Sequence, residues 1–172
     1  MAKAKHDDEF TEFVASRAGW LRKVAYLLCG DWHRADDLVQ ETITKLYTRW
    51  GRVSRADNVD GYARRVLVNT FLAEQRSGWG RFTARHAAEP VERASAPADL
   101  EAGLDLRRAL AELPPRQRAA VVLRHYCDLS VEQTAETLGC STGNVKSQTS
   151  RGLDALRRLL VVRPVTAAER MS

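Results

Sequence analysis

Residues 130–151, SVEQTAETLGCSTGNVKSQTSR, constrain the fold most strongly, because they predict two helices joined by a tight turn. Ser130 and Gln133 have capping-box spacing, in which each side chain satisfies a free backbone N–H at the start of a helix. Gly139 stands where the first helix must end, since glycine accepts the left-handed backbone of a helix C-terminus. Ser141 can cap the second helix. The segment therefore predicts a helix-turn-helix.

The second helix of this motif has an apolar side and a polar side. Its apolar positions recur at helical spacing and predict a buried face: Val145, Gly152, Leu153, Leu156 and Leu160. The polar positions carry short hydrogen-bonding groups and cations, which suit base edges and phosphates in a major groove. These candidate DNA-binding residues are Thr142, Asn144, Lys146, Ser147, Ser150 and Arg151. A solvated face of an ordinary helical bundle is the alternative.

Lys146 and Arg151 lie five residues apart, about 140° around a helix axis, so the two cations cannot serve the same base pair. We expect Lys146 and Ser147 to contact base edges and Arg151 to contact phosphate.

Composition narrows the classes of function. The net charge of +5 favours an anionic partner such as nucleic acid, although many soluble proteins carry as much. Cys29, Cys127 and Cys140 are too widely spaced to predict a disulfide framework or a zinc site, and His125 adds only a second potential ligand near Cys127. We therefore expect no metal and no cofactor.

Enzyme and membrane signatures are missing from the sequence. It contains no P-loop, no dinucleotide-binding fingerprint and no G-x-S-x-G motif, so we expect a protein that is not an enzyme. No apolar run approaches the roughly 20 residues of a membrane span, and the N-terminal residues lack the apolar stretch of a secretory signal. We expect no membrane span and a cytoplasmic location.

Before the motif, hydrophobic periodicity predicts helices at about 10–30, 35–50 and 61–76. Residues 31–34 are predicted to form a polar corner, and residues 51–60, rich in turn formers, a loop. The second helix carries Asp37, Gln40 and Glu41 on its polar side, and the third carries Arg65, Asn69 and Arg76 on one side. Solvation alone could explain either polar face.

The composition changes again at residues 83–100, which are rich in alanine, proline and glutamate and predict a flexible acidic linker. Helical periodicity resumes over 101–162, which include the helix-turn-helix, and 163–172 are predicted to be a frayed tail. The sequence thus predicts an all-α protein with two small helical domains, at 1–82 and 101–162.

Three segments also resemble a known family, in that family's order. They are ADDLVQETITKLYTRW at 35–50, GYARRVLVNTFLAEQR at 61–76, and LPPRQRAAVVLRHYCDLSVEQTAETLGCSTGNVKSQTSRGLDALRRL at 113–159. Together they resemble the sigma factors of the bacterial sigma-70 family, in particular the compact extracytoplasmic-function group. The resemblance implies promoter recognition, DNA opening and transcription initiation together with core RNA polymerase.

The resemblance also implies a role for each polar face. Asp37, Gln40 and Glu41 would dock on the clamp helices of the largest polymerase subunit, and the flap of the second-largest subunit would be a further contact. Asn69, with Arg65 and Arg76 on its face, would contact the minus-ten element, and loop 51–60 would capture a flipped base. The second helix of the helix-turn-helix would read the minus-thirty-five element. A separate anti-sigma factor is implied as a regulator.

Two other functions fit parts of the sequence. A helix-turn-helix repressor or activator would act without polymerase, normally as a dimer on a two-fold operator. A metal-dependent nuclease would need Asp36, Asp37 and Glu41, but only Asp37 and Glu41 share a helix face, and two carboxylates without a histidine or a third acid are a poor metal site.

Overall fold

We describe the protein from a computed structural model, in which the described residues are 1–78 and 98–161. Within these ranges every regular element is a helix and there is no strand, so the predicted all-α fold is confirmed. The chain divides into two compact units, Met1–Phe82 and Thr83–Ser172. The predicted tail, and all but the last residues of the predicted linker, lie outside the described residues.

The described part of the first unit contains four helices, α1 (Ala2–Cys29), α2 (Trp32–Thr48), α3 (Trp50–Val53) and α4 (Val59–Arg76). Side chains from all four meet in one core, where burial of each large apolar side chain contributes about 1.5–3 kcal/mol. Its largest fully buried members are Leu21, Val24, Leu28, Leu38, Leu46, Val53, Leu67, Val68 and Phe71.

Helix α1 begins at Ala2, eight residues before the start that periodicity predicts. The extra turns are held by side-chain contacts with the end of α2 and the start of α3. The Tyr47 hydroxyl donates to Asp7 at 2.9 Å, and the Phe10 ring lies 5.2 Å from the Trp50 ring, centroid to centroid. These long-range contacts, which periodicity does not register, fix the N-terminal turns of α1.

The predicted polar corner at 31–34 is wrong, because α2 already begins at Trp32. Gly30 ends α1 in the left-handed conformation, with φ of 74°, and Asp31 caps α2 by accepting the Arg34 N–H at 2.9 Å. The connection between the two long helices is therefore only two residues long.

The predicted loop at 51–60 is wrong at both ends. Its first residues belong to the short helix α3, where Val53 is only 2% exposed, and its last two belong to α4. Asn58 caps α4 by accepting the Gly61 N–H at 2.8 Å, which moves the start of that helix to Val59. The irregular segment is residues 54–58.

The described part of the second unit contains α5 (Ala98–Glu112), α6 (Pro115–Val121), α7 (Val131–Leu138) and α8 (Thr142–Val161). Helix α6 continues into a π-helical turn, Val122–Tyr126, which periodicity did not predict. Because α5 starts at Ala98, residues 98–100 are helical and not part of a linker.

Arg118 fixes the junction of α5 and α6, and sequence reasoning did not single it out. It is buried, and its guanidinium donates to the carbonyl oxygens of Ala111 at 2.9 Å and Leu113 at 2.8 Å. Carbonyl groups at a helix C-terminus have no partner within their own helix, so Arg118 satisfies groups that burial would otherwise leave unpaired.

Candidate nucleic-acid and protein interfaces

The predicted helix-turn-helix is formed by α7 and α8. The Ser130 hydroxyl accepts the Gln133 N–H at 3.0 Å while the Gln133 side chain accepts the Ser130 N–H at 2.9 Å, which completes the capping box. Gly139 has φ of 63° and ψ of 42°, and Ser141 accepts the Asn144 N–H at 3.1 Å. The capping box, the left-handed glycine and the Ser141 cap predicted for this motif are all confirmed.

The apolar side of α8 packs as predicted at Val145, Gly152 and Leu156, which are buried. Leu153 and Leu160, predicted to belong to the same face, are only half-buried. The six candidate DNA-binding residues of α8 are all exposed: Thr142, Asn144, Lys146, Ser147, Ser150 and Arg151.

These six residues do not share one face. At about 100° per residue, they fall into two groups of three around the helix. One group spans about 80° of the circumference and the other about 60°, and the centres of the two groups are roughly 130° apart. The first group, called here the lysine face, contains Thr142, Lys146 and Ser150. The second, called the arginine face, contains Asn144, Ser147 and Arg151. The geometry thus separates Lys146 from Ser147, two residues that sequence reasoning had assigned to the same role.

The candidate face on α4 is more compact. Arg65, Asn69 and Arg76 are exposed and lie within about 40° of one another around the helix. None of the three makes a hydrogen bond or an ion pair with another part of the chain that the structure describes. The face therefore presents two unpaired cations and one amide to solvent.

The candidate face on α2 is acidic and partly organised by α4. Asp37, Gln40 and Glu41 are exposed. Glu41 forms an ion pair with Lys45 at 2.7 Å, and the Lys45 ammonium group also donates a hydrogen bond to the Thr70 hydroxyl at 3.1 Å. This chain of contacts orients the Glu41 carboxylate.

A second carboxylate lies beside Glu41. Burial raises the pKa of Glu74 on α4, and the negative charge of Glu41 together with a hydrogen bond between the two carboxyl groups raises it further. Neutral Glu74 can donate a hydrogen bond to ionised Glu41, whereas two ionised carboxylates would repel.

Asp36, the third acid of the nuclease hypothesis, is engaged elsewhere. Its carboxylate pairs with Arg22 of α1 at 2.5 Å, and this hydrogen bond lowers the pKa of Asp36. The Arg22 guanidinium also lies 4.2 Å from the centre of the Trp32 ring, which stacks on Tyr26. Over residues 1–78 and 98–161, no group of three His, Cys, Asp or Glu side chains could hold a metal ion.

An open pocket of about 590 Å³ lies beside the irregular segment 54–58. Its aromatic wall includes Phe13 and Trp50, and the indole N–H of Trp50 is buried without a hydrogen-bond partner among the described residues. Its charged lining is mostly acidic, with Glu9, Glu12, Asp57 and Asp60 against the single cation Arg17. Arg17 is paired with Asp60 at 2.7 Å.

The described helices give no candidate for a membrane span, because none combines the necessary length with sufficient apolar character.

Comparison with known proteins agrees with both units. The model of sigma-70 region 2 matches residues 13–81, and that of sigma-70 region 4 matches residues 103–156. The RNA polymerase sigma-E factor of Streptomyces coelicolor is 36% identical over 164 residues, covering 92% of this chain and 90% of that protein. The RNA polymerase sigma-E factor of Streptomyces avermitilis is 39% identical over 166 residues, covering 92% of this chain and 89% of that protein.

A solved structure extends the likeness to the fold. The sigma factor RpoE from Bartonella quintana, determined in complex with the anti-sigma factor NepR, superposes with a TM-score of 0.69 at 26% identity, covering 90% of this chain and 98% of that one. From the two matched regions and from relatives similar over nearly their full length, the chain belongs to the extracytoplasmic-function sigma factors of the sigma-70 family.

Proposed function

We propose that this chain performs its sigma-factor function, promoter-directed initiation by RNA polymerase, through three exposed faces on its two units. The observation that carries this proposal is the order of those faces: an acidic face on α2, a basic and amide face on α4, and a helix-turn-helix in the second unit. A repressor or activator acting without polymerase would need only the last of these, so that alternative is not favoured.

The α2 face, Asp37, Gln40 and Glu41, is assigned to core polymerase, at the clamp helices of its largest subunit. Exposed carboxylates that are already oriented lose little side-chain entropy on binding, which favours a specific protein contact. The Lys45 contact to Glu41 supports this assignment, because it holds one of the acids in place.

The α4 face, Arg65, Asn69 and Arg76, is assigned to the minus-ten element. Its unpaired guanidinium groups suit phosphates, and the Asn69 amide carries both a donor and an acceptor for a base edge. An exposed base exists only when the duplex opens, so this face contributes to melting as well as to recognition.

The pocket beside residues 54–58 is assigned to capture of a flipped base. Phe13 and Trp50 supply an apolar wall against which a flipped base can pack. The surrounding carboxylates accept hydrogen bonds, so the pocket favours a base with an exocyclic amine over thymine.

The second unit is assigned to the minus-thirty-five element through α8, and to the flap of the second-largest subunit. The domain limits that accompany these assignments are 1–82 and 98–162, with a linker that ends at residue 97 and a tail at 163–172. The protein would act in the cytoplasm without catalysis of its own, and a separate anti-sigma factor would control it, as NepR binds the Bartonella relative.

Run-off transcription with core polymerase over a genomic promoter library tests this function. We expect defined start sites that require the full chain. Free protein should bind the same duplexes only weakly. If no start site depends on the added protein, the proposed function is wrong.

A further inference from the structure

The lysine face of α8 borders a second pocket, which gives that face a different task from the arginine face. The pocket has a volume of about 360 Å³ and lies between α8, the π-helical turn and the start of α7. Its charged and polar lining is Arg124, His125, Lys146, Thr149, Ser150 and Arg157, with no acidic residue. Arg124, His125 and Arg157 were not among the candidate DNA-binding residues predicted from the sequence.

We propose that this pocket binds one phosphate group of the promoter backbone, with Lys146 as its principal cation. The inference rests on the proposed function, since it takes DNA as the source of the phosphate, and it assigns base reading to the arginine face.

The charge balance of the pocket supports an anionic ligand. Lys146 has no hydrogen bond or ion pair within the parts of the chain that are described, so its charge is uncompensated. Arg157 is paired with Asp154 at 3.0 Å on the exposed side of α8, and Arg124 donates to the carbonyl oxygen of Leu129. A carbonyl oxygen leaves the positive charge of Arg124 in place. The pocket therefore keeps an excess of positive charge that one phosphate would offset.

The arrangement along α8 supports a backbone contact and not a base contact. Lys146, Ser150 and Arg157 recur at intervals of four and seven residues, so they line one side of the helix within about 40°. Arg124 comes from a different element and converges on the same space. Cations and a hydroxyl from separate elements around one small volume suit a tetrahedral anion, whereas a base edge is planar and is read from one side.

This placement reverses the roles expected for the two cations. Arg151, with Asn144 and Ser147, lies on the opposite exposed side of α8 and is free to read bases. Lys146 would instead hold the backbone and fix the register at which the arginine face meets the groove.

A backbone substitution tests the contact directly. Promoter duplexes are prepared with a neutral methylphosphonate at single positions across the minus-thirty-five element and titrated with the full chain bound to core polymerase. One methylphosphonate position should weaken binding of the wild-type protein and have little further effect on Lys146→Gln. Arg158→Gln, which removes an exposed cation outside the pocket, is the matched control and should respond to that position as the wild type does.

Salt and sequence dependence provide a second readout. Lys146→Gln should lower binding to every duplex variant by a similar factor and reduce the slope of log affinity against log salt by about one unit. The inference is overturned if Lys146→Gln changes the preferred base at one position, or if no methylphosphonate position distinguishes it from Arg158→Gln.

The source of the phosphate is tested separately. Inorganic phosphate is titrated into the free protein at constant ionic strength, with the backbone amide signals of residues 124 and 146 observed by NMR. Saturable binding below millimolar concentration, with promoter affinity unaffected by Lys146→Gln, would assign the pocket to a free anion and overturn the inference. Because promoter-dependent initiation by the wild type is measured independently, failure of this inference is distinguishable from failure of the proposed function.

Discussion

Gly152 of α8 faces Val121 of α6 so closely that a β-carbon at position 152 would lie 2.7 Å from Val121 Cγ2. The same β-carbon would lie 3.3 Å from the carbonyl oxygen of Gln117, which is backbone and cannot rotate away. Glycine at this position therefore sets the separation between α6 and the helix that carries both candidate DNA-binding faces.

The first prediction is that Gly152→Ala destabilises the second unit. Overpacking costs about 1–3 kcal/mol, and the gain in helix propensity on replacing glycine by alanine returns at most about 1 kcal/mol. Gly143→Ala is the matched control, because its β-carbon would meet nothing closer than Ser141 Oγ at 3.9 Å. That substitution should be neutral or slightly stabilising.

The tryptophans make the measurement specific to one unit. All four lie at position 79 or earlier, so tryptophan fluorescence reports the first unit, whereas far-ultraviolet circular dichroism reports both. In urea, Gly152→Ala should shift part of the dichroism transition to lower denaturant and leave the fluorescence transition in place. A fluorescence transition that moves equally would contradict the assignment of this contact to the second unit alone.

The second prediction concerns the pH dependence of stability at Glu74. Its pKa in the folded protein is raised above the ordinary 4.5, first by burial and then by Glu41. The folded state therefore binds more protons than the unfolded state between the ordinary and the raised pKa, and stability falls as pH rises through that interval. Glu74→Gln should remove this fall. The free energy of unfolding of the variant, taken relative to that of the wild type, should therefore be higher at neutral pH than at pH 4.

A carboxyl-detected NMR titration checks the cause. Glu41→Gln should lower the pKa of Glu74 toward its ordinary value while leaving the contribution of burial. An unchanged Glu74 titration in Glu41→Gln would show that the two carboxyl groups do not interact.

The local chemistry of the helix-turn-helix was predictable because its signals lie within a few residues of one another. Ser130 and Gln133 form one capping box, and Gly139 ends its own helix. The helix starts that were missed depend on other information. The N-terminal turns of α1 are held by contacts to Tyr47 and Trp50, about 40 residues away, and hydrophobic periodicity within α1 carries no record of them.

The candidate faces were only partly predictable for a similar reason. Exposure of the polar residues on α2, α4 and α8 follows from helical periodicity alone. The pocket beside Lys146 does not, because Arg124 and Arg157 come to it from sites separated by 33 positions in sequence and neither stands out by spacing. Its recognition needs the packing of α6 and its π-helical turn against α8.

The third prediction tests the α2 face. Glu41→Lys should weaken binding to core polymerase by reversing a charge on the face, and helical content should stay the same because residue 41 is exposed. Asp8→Lys makes the same change of charge at an exposed position of α1 and should bind as the wild type does. Competition between labelled and unlabelled variants for core polymerase measures the ratio of affinities. Equal losses for the two variants would indicate a general electrostatic effect and contradict a specific contact at α2.

The last prediction uses two asparagines, one in each unit, as reciprocal probes. Asn69→Ala removes a donor and an acceptor from the α4 face and should relax preference at the upstream bases of the minus-ten element, or slow opening, while the minus-thirty-five preference remains. Asn144→Ala should do the opposite, because it removes an amide from the arginine face of α8. Both positions are exposed, so neither change should lower stability by more than about 0.5 kcal/mol.

Each variant is combined with core polymerase, and initiation is measured over a promoter library randomised at both elements. A loss of one well-made base contact should reduce discrimination at its position by about 1–3 kcal/mol. If Asn69→Ala altered only minus-thirty-five bases, or if the two variants changed the same positions, the assignment of separate promoter elements to the two units would be wrong.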